Sequence, residues 1–523
     1  MKKVDIPVSE VIKKGSLIEA YLSGRAEIEY LYNRLPERDN FLEQIQEKNF
    51  PASTRSLLVQ VLNEQYEGFE MVNSIKKNLD LLKKESTFTL TTGHQLCLAT
   101  GPLYFIYKIV TTIKACQELK DKYDDFNFVP VFWMATEDHD FKEINHFHLY
   151  GNKIEWNTPE KGAVGRFSLE GIDNVVKEIT SVLGEGNIET SLSELIAKAY
   201  SHNSLSEGTR YLVNELFKDF GLVIIDADSH QLKSLFKSYM VKEIEDSIVF
   251  KNVSDTVSNW SFKTQVNPRK CNLFYLAEDR LRIDESEGGF KSNDNKIYWT
   301  KKELIREISE FPERFSPNVI LRPLYQEVIL PNLAYIGGPG ELAYWLELKS
   351  MFDSEDVQFP ILMYRDSIMI LDKGIQKRMN KLDIEVQDLY TDLDKLIKRI
   401  AENSNSNIDL SEYEDLISKK MTEIQNKARE LDQGLSNSIE AENIKMMKSL
   451  SNIQSKILRT VKKKEEERVN GVRRLKNKLF PDGLPQERKD NFISYYLATE
   501  GKLIDILIKN STPFENDQSV IFL

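Results

Sequence analysis

Long hydrophobic runs are missing from this chain of 523 residues. The longest extends from Phe128 to Ala135, and even this run contains Pro130. A helix that crosses a bilayer needs about 20 consecutive apolar residues, so we expect neither a membrane-spanning helix nor a membrane partner. The first residues, MKKVDIPVSEVIKKG, include lysines but no apolar core of signal-peptide length, which favours a cytoplasmic protein.

Cysteine is also scarce. Its three positions, Cys97, Cys116 and Cys271, lie far apart and outside any CxxC spacing, which argues against a disulfide framework and a four-thiolate zinc site. Basic residues are fewer than acidic ones: 70 Lys and Arg residues against 82 Asp and Glu residues give a net charge of -12. An acidic surface repels phosphate backbones, so we expect no nucleic-acid partner.

Two kinds of apolar pattern divide the first part of the chain. Residues 1 to about 85 show apolar residues at helical spacing. From Phe88 onward, short apolar runs alternate with turns and apolar helices, which is typical of parallel βαβ units. The clearest predicted strands are 87–92, 128–136, 222–225 and 333–336. We therefore predict an α/β protein with a parallel-sheet core.

The C-terminal third has a different pattern. Apolar residues at 4-3 spacing from Leu382 to Ile400, from Ile417 to Leu435 and, more weakly, from Met446 to Thr460 indicate a coiled coil. We expect one helix of roughly 40 Å over residues 376–403. The polar stretch 402–407 is expected to reverse the chain between antiparallel helices.

Length and these patterns together predict the domain organisation, since domains commonly contain about 100–200 residues. The expected segments are 1–155 (N-terminal helices and the first half of the core), 156–205 (connective insert), 206–250 (core continued), 251–312 (small lobe with a β-hairpin), 313–375 (core continued), 376–480 (coiled coil) and 481–523 (C-terminal helical segment).

The first strand–turn–helix unit contains the sequence TTGHQ. Gly93 allows a ligand to approach the backbone closely, and His94 is expected to exchange a proton near neutral pH. The following helix contains Lys108, and its positive N-terminal end suits a phosphate or carboxylate. The alternative is an ordinary turn whose histidine bonds a backbone carbonyl.

The second unit contains the sequence TEDHD. Glu137, Asp138, His139 and Asp140 are consecutive, and His146 follows closely. Crowding like charges costs free energy unless a substrate, a metal or basic groups compensate them. A solvated loop is the alternative. The spacing matches no dedicated metal site, so we expect no tightly bound metal.

The fourth unit contains the sequence RPLYQEVILPNLAYIGGPGE. Arg322 can bind a carboxylate bidentately, with a surface ion pair as an equal alternative, and Glu341 stands at a helix start. The glycines form neither a Walker loop nor GxGxxG. Near the end of the chain, Gln486 and Arg488 in LFPDGLPQER are candidates for nucleotide binding, although a helix stop is the favoured interpretation.

Four segments in order resemble the bacillithiol biosynthesis cysteine-adding enzyme family: TGHQ…TGPLYFIYK, VPVFWMATEDHDFKEINH, RPLYQEVILPNLAYIGGPGELAYW and LFPDGLPQER. The resemblance runs from about residue 88 to 490. It implies a Rossmann-like core similar to class I aminoacyl-tRNA synthetases, a connective lobe, a C-terminal coiled coil and a homodimer. In related synthetase folds the GHQ position handles ATP phosphates, which here implies Gly93, His94 and Gln95. A lysine-rich signature loop of the synthetase kind is absent from the sequence.

The implied reaction adds L-cysteine to glucosaminyl malate, forming an amide and yielding bacillithiol. A carboxylate must be activated before it condenses with an amine in water. We therefore expect ATP, with any magnesium delivered alongside it, to form an acyl-adenylate or an acyl-phosphate. His94 is expected to stabilise phosphate charge. Glu137, Asp138 and His139 are expected to bind the cysteine amine or deprotonate the attacking amine, and Arg322 to hold a carboxylate.

The complete set of expected site residues has three groups. The catalytic residues are His94, Glu137, Asp138 and His139; the substrate-binding residues are Gly93, Gln95, Tyr104, Lys108, Asp140, His146, Arg322, Tyr325, Gln326, Gly338 and Glu341; the nucleotide-binding residues are Gln486 and Arg488. Two other functions stay open. One is an ATP-dependent ligase or nucleotidyltransferase of the same fold that uses another acid and amine, and the other is a coiled-coil scaffold without catalysis.

Overall fold

The computed structural model describes residues 2–12, 14–258, 260–402 and 410–523. The chain divides into two compact units, one of residues 1–370 with 484–523 and one of residues 371–483. Within the described ranges, no helix is both long and apolar enough to cross a membrane.

The strands are β1 Lys2–Ile6, β2 Thr87–His94, β3 Asn127–Met134, β4 His146–Leu149, β5 Asn152–Glu155, β6 Val223–Asp226, β7 Leu273–Leu276, β8 Arg280–Ser286, β9 Gly289–Ser292, β10 Tyr298–Trp299, β11 Phe315–Pro317, β12 Asn332–Gly337, β13 Ile361–Tyr364, β14 Ser367–Leu371 and β15 Gln518–Phe522.

The α-helices are α1 Val8–Val11, α2 Leu17–Leu22, α3 Phe41–Glu47, α4 Ala52–Gln65, α5 Asn73–Leu81, α6 Tyr104–Lys122, α7 Phe141–Ile144, α8 Asp173–Leu183, α9 Asn187–Ala199, α10 Leu205–Phe217, α11 His230–Asp246, α12 Ile248–Ser258, α13 Lys301–Glu310, α14 Arg322–Ile329, α15 Pro339–Leu346, α16 Lys349–Ser354, α17 Lys373–Leu382, α18 Leu393–Glu402, α19 Ser411–Arg429, α20 Gln433–Leu479, α21 Phe492–Ala498 and α22 Leu503–Asn510. Short 3-10 helices occupy Ala26–Leu31, Arg38–Asn40, Leu98–Thr100, Val164–Arg166, Lys218–Phe220, Pro312–Arg314, Gln387–Tyr390, Pro481–Gly483 and Gln486–Arg488.

The core of the first unit is a five-stranded parallel sheet in the order β13-β12-β2-β3-β6. Alternate residues of β3 pack into different hydrophobic clusters, with Val131 and Trp133 in one and Phe132 in another. Burial on both faces explains the nearly continuous apolar run of β3. The predicted Rossmann-like α/β core is confirmed. The direction of chain winding reverses between β2 and β12, and ligands of such sheets bind at this point, beyond the carboxyl ends of the strands.

The described residues form three further sheets. β10, β9, β8, β7 and β11 form an antiparallel lobe in that order. β1 pairs antiparallel with β15, so the expectation of an entirely helical segment over residues 1–85 is wrong at its start. β13, the fifth strand of the parallel sheet, was also not among the four predicted strands.

The second unit is helical, and α19 packs against α20. The predicted single helix over 376–403 is wrong, because α17 ends where Asp383 adopts a left-handed conformation with φ of 55°. A 3-10 turn and α18 follow. The reversal expected at 402–407 falls, beyond Glu402, on residues outside the described ranges. Another reversal, not expected from the sequence, lies between α19 and α20.

Candidate active site

A cavity of about 640 Å³ lies at the carboxyl edge of the parallel sheet. Residues at or just after the ends of β2, β3, β12 and β13 line it, together with residues of the lobe and of α6. Its volume is typical of small-molecule sites. The predicted site residues that line it are Gly93, His94, Gln95, Tyr104, Lys108, Glu137, Asp138, His139, Arg322, Gly338, Glu341 and Arg488.

His94 is the last residue of β2, and its ring packs near the rings of Tyr104 and Phe105. Its Nδ1 lies 3.0 Å from the carbonyl oxygen of Gln95. A carbonyl oxygen only accepts, so the proton belongs on Nδ1 and Nε2 keeps its lone pair. Burial, together with the nearby charge of Lys108, lowers the pKa of His94 to about 3. The expectation of proton exchange near neutral pH is therefore wrong for the protein without ligand, in which the imidazole is neutral.

Lys108 connects β2 to the start of α15 across the point where winding reverses. Its buried ammonium donates to the carbonyl oxygen of Gly93 and to Glu341 Oε1, both at 2.7 Å. Glu341 Oε2 accepts from the backbone amide of Gly338 at 2.8 Å, and Oε1 accepts from the Tyr335 hydroxyl at 3.1 Å. Burial lowers the pKa of Lys108 even though Glu341 opposes that shift. This pair fixes the geometry beside His94.

The turn after β3 contributes an ionised carboxylate. Asp138 Oδ2 accepts from Gln95 Nε2 at 2.7 Å, and Oδ1 accepts from the amide of His139 at 2.8 Å. Burial alone would raise the pKa of Asp138, but hydrogen bonds from His139 and Gln95 outweigh it and lower the pKa. The Gln95 bond also joins the first polar turn to the second.

Glu137 faces a buried lysine from α11. Its Oε1 lies 2.5 Å from Lys233 Nζ, which also donates to Asp228 Oδ1 at 2.9 Å. Arg166 binds the two oxygens of Asp228 at 2.8 and 3.0 Å. Burial raises the pKa of Glu137, with Lys233 opposing and Asp228 reinforcing the rise. Two acids and two bases thus hold the ends of β3 and β6 together.

Two arginines of the cavity were not predicted from the sequence. Arg280, at the start of β8, donates to Ser316 Oγ and the Pro317 carbonyl, both at 3.0 Å, and to His139 Nδ1 at 3.2 Å. Arg365 follows β13 and binds both carboxylate oxygens of Glu487, at 3.0 and 2.6 Å. The sequence signal for Arg365 was its position directly after a short apolar run, FPILMY, although no motif surrounds it.

Arg322 lines the cavity from the start of α14. Its guanidinium lies 5.5 Å from the Trp133 ring and 5.8 Å from the Tyr335 ring, and Nη1 donates to Gln326 Oε1 at 3.1 Å. Aromatic faces stabilise a cation without neutralising its charge. Arg322 therefore keeps a positive charge at the wall of the cavity.

Five predicted site residues are not among those that line the cavity. Asp140 is exposed before α7, and His146 lies in β4 with Nδ1 3.1 Å from Asn145 Oδ1. Tyr325 is buried and donates to the Ala227 carbonyl at 2.8 Å, while Gln326 donates to Glu327.

Gln486 exchanges two hydrogen bonds with the backbone of Ile370, at 2.9 and 3.1 Å. It supports the end of the chain against β14. No group of three or more His, Cys, Asp or Glu side chains that could hold a metal ion occurs in the part of the chain that the structure describes.

The chain matches two family models over nearly its whole length: residues 1–366 match "Bacillithiol biosynthesis BshC, N-terminal Rossmann-like domain", and residues 368–523 match "Bacillithiol biosynthesis BshC, C-terminal coiled-coil domain". Proteins named "Putative cysteine ligase BshC" from Flavobacterium johnsoniae and Flavobacterium psychrophilum are 41% and 43% identical, each alignment covering 97% of both chains. A protein of the same name from Bacillus cereus (strain G9842) is 29% identical over the full length of both chains. A crystal structure titled "putative arginyl t-RNA synthetase" from Campylobacter jejuni, 9% identical, aligns over 88% of this chain and 98% of its own with a TM-score of 0.18, too low to show a shared fold. This chain belongs to the bacillithiol biosynthesis BshC family.

Proposed function

We propose that this protein is a ligase that joins the carboxyl group of L-cysteine to the amine of glucosaminyl malate in the last step of bacillithiol formation. The observation that carries the proposal is one cavity in which an ionised Asp138 and the basic groups around Lys108 lie on the two sides of His94. Amide formation brings an activated acid and an amine together, and holding both in one site removes much of the entropic barrier. The relatives' name, cysteine ligase, supports cysteine as the acid.

ATP would supply the leaving group that makes the cysteine carboxylate reactive. Lys108, Arg488 and the first amides of α15 fit its phosphates, because all are donors at one corner of the cavity. A C–N bond then forms as the bond from the cysteine carbonyl carbon to the activated oxygen breaks. Any magnesium would arrive with the nucleotide.

His94 would couple phosphate binding to proton uptake. The charge of Lys108 contributes to the low pKa of His94 in the protein without ligand. A phosphate bound beside Lys108 offsets that charge, so the pKa of His94 rises on binding. A proton on Nε2 then allows His94 to donate to a phosphate oxygen as negative charge develops there.

The amine would be handled at the acidic turn. Asp138 stays ionised and is held by Gln95, which suits it to bind an ammonium group. The raised pKa of Glu137 makes its carboxylate a stronger base than Asp138, so Glu137 is the better acceptor for the proton that the amine loses. Arg280 Nη1 lies 3.2 Å from His139 Nδ1, which holds the His139 ring beside Asp138 at the wall of the cavity.

We further propose that the protein acts in the cytoplasm as a homodimer joined through the second unit. Helices α19 and α20 expose large apolar side chains that a second copy would cover: Tyr413, Leu416, Ile424, Leu435, Ile444, Met446, Ile453 and Leu458. Apolar surface of this kind favours burial against a partner.

The proposed function is tested with purified protein, L-cysteine, glucosaminyl malate and ATP. Mass spectrometry should detect bacillithiol, and analysis of the nucleotide products distinguishes AMP with pyrophosphate from ADP with phosphate. Equal or faster product formation with a different acid or amine would favour the alternative ligase. A protein that neither forms a product nor binds any of these substrates would favour the alternative of a coiled-coil scaffold without catalysis.

A further inference from the structure

Arg365 has one donor that the protein itself leaves unused. Its side chain is 2% exposed, and its two terminal nitrogens bind Glu487 and the carbonyl of Asp366. Nε is buried and has no hydrogen-bond partner among the described residues. A buried donor of a charged group is costly to leave unsatisfied, so its position in the cavity wall indicates that a ligand atom satisfies it.

Gly338 leaves open the space in front of this donor. A Cβ atom on Gly338 would lie 3.7 Å from Arg365 Nε and 3.5 Å from Glu341 Oε2, and beyond its chain neighbours no other heavy atom of the described residues lies within 4 Å of it. A hydrogen-bonded oxygen needs to approach Nε to about 2.9 Å. The missing side chain therefore removes one obstacle to such an approach.

The start of α15 adds two further donors. Gly340 and Glu341 belong to its first turn, where backbone amides have no partner inside the helix. The positive end of the helix dipole favours an anion at the same place.

Arg488 supplies a positive charge with no ion-pair partner among the described residues. It is exposed, lines the same cavity and has no ion-pair partner within the described ranges. Lys108 is paired with Glu341 and Arg365 with Glu487, so these four charges cancel. Arg488 is left, together with Arg322 elsewhere in the cavity wall, to balance a negative ligand.

We propose that Arg365 Nε, Arg488 and the first turn of α15 form an oxyanion subsite that binds a carboxylate or phosphate group of a substrate. It belongs to the cavity of the ligase reaction and in that sense rests on the proposed function. In the strand order, β13 is three strand spacings from β3, or roughly 14 Å. Arg365 follows β13, Asp138 follows β3, and His94 ends β2, which lies between these two strands. The subsite and Asp138 are therefore on opposite sides of His94, so one end of the cavity takes an anion and the other an ammonium group.

Calorimetric titration of the full-length protein with inorganic pyrophosphate and, separately, with L-malate tests the subsite and identifies the source of the anion. Gly338→Ala places a methyl group in the open space with only ordinary contacts, and Arg488→Ala removes the free charge. Each should raise the Kd of the anion that the subsite takes about tenfold to a hundredfold, the usual effect of losing one charge-assisted hydrogen bond. Arg306→Ala, which removes an exposed arginine of α13, should leave that Kd unchanged.

If pyrophosphate binding alone weakens, the subsite holds the nucleotide phosphates; if malate binding alone weakens, it holds the malate carboxylates. Binding of both anions by Gly338→Ala and Arg488→Ala at parental affinity would overturn the proposal, as would failure of the parent to bind either anion at millimolar concentration. Arg488→Ala decides the outcome if Gly338→Ala does not fold. Because no turnover is measured, anion binding without thiol synthesis would contradict only the ligase assignment.

Discussion

Lys233→Met removes the cation that separates two buried carboxylates. Lys233 is 1% exposed on its side chain, and its ammonium lies 2.5 Å from Glu137 and 2.9 Å from Asp228, whose side chains are 12% and 10% exposed. Methionine fills a similar volume, so the main loss is the charge. Breaking a buried ion pair by removing one partner costs about 3–5 kcal/mol. Arg166 continues to bind Asp228, so we expect the lower end of that range.

The stability lost in Lys233→Met should depend on pH in a defined direction. The pKa of Glu137 in the folded protein is already raised, and loss of Lys233 raises it further. A carboxyl group with a raised pKa binds its proton more tightly in the folded state, so stability falls as pH rises from its unfolded pKa through its folded pKa. The variant should therefore lose more stability at pH 8 than at pH 5.

Thermal and urea unfolding of the parent and of Lys233→Met at pH 5 and pH 8 measure the loss of stability at each pH. Lys237→Met, one turn further along α11 at an exposed position, is the matched control and should unfold like the parent. Adding Glu137→Gln to Lys233→Met should recover most of the lost stability, because no unpaired carboxylate is left at that position. Parental stability of Lys233→Met at both pH values would refute the assigned role of this network.

Three further outcomes follow from the site and the second unit. NMR titration should find the His94 imidazole neutral down to about pH 4, with its pKa raised once pyrophosphate binds, and His94→Ala should lower turnover roughly 10²–10³-fold. Asp138→Asn should raise the KM of the amine substrate or lower turnover with a nearly parental melting temperature; severe destabilisation instead would indicate a structural role. Light scattering should show that the parent is a dimer. The double variant Met446→Lys, Ile453→Lys should dissociate more readily, because both side chains are exposed apolar residues of α20. A parent that is monomeric at micromolar concentration would exclude the dimer.

The central strands of the parallel sheet could be predicted because the sequence pattern of each strand and of the residues directly after it is sufficient to indicate it. β3, β6 and β12 are mainly apolar runs followed directly by turns and helices, as expected for strands that are buried on both faces. β2, TFTLTTGH, alternates threonine with apolar residues, and the turn and apolar helix that follow it marked it as a strand. β13 is only four residues long and ends at an arginine, so its sequence resembles a loop. β1 pairs with β15 at the opposite end of the chain, which no local pattern can indicate.

The helical unit shows the limit of heptad spacing. Leu382, Val386 and Leu389 are all buried as the spacing requires, yet they lie on a helix end, a turn and a 3-10 helix. Asp383 ends α17 in a left-handed conformation that aspartate tolerates but does not demand. In this segment periodicity predicted burial better than helix continuity. In α19 and α20 the helices are continuous, whereas the seam residues Ile424, Leu435, Met446 and Ile453 are exposed.

Candidate site residues could be predicted where they follow a recognisable strand. His94, Asp138 and Glu341 meet this condition and line one cavity. Arg280 enters from the lobe and Arg365 from the unpredicted strand, so their positions depend on tertiary structure. The low pKa of His94 likewise depends on burial and on Lys108, neither of which its own sequence neighbours reveal.

The most direct test of the central claim is the thiol profile of a strain that lacks this gene, complemented with the parent, Asp138→Asn or His94→Ala. Liquid chromatography with mass spectrometry should show loss of bacillithiol and accumulation of glucosaminyl malate in the deletion strain. The parent should restore bacillithiol, and the two variants, present at equal protein levels, should restore little. Normal bacillithiol in the deletion strain without a second gene copy, or full restoration by both variants, would contradict the assignment of cysteine ligation to this cavity.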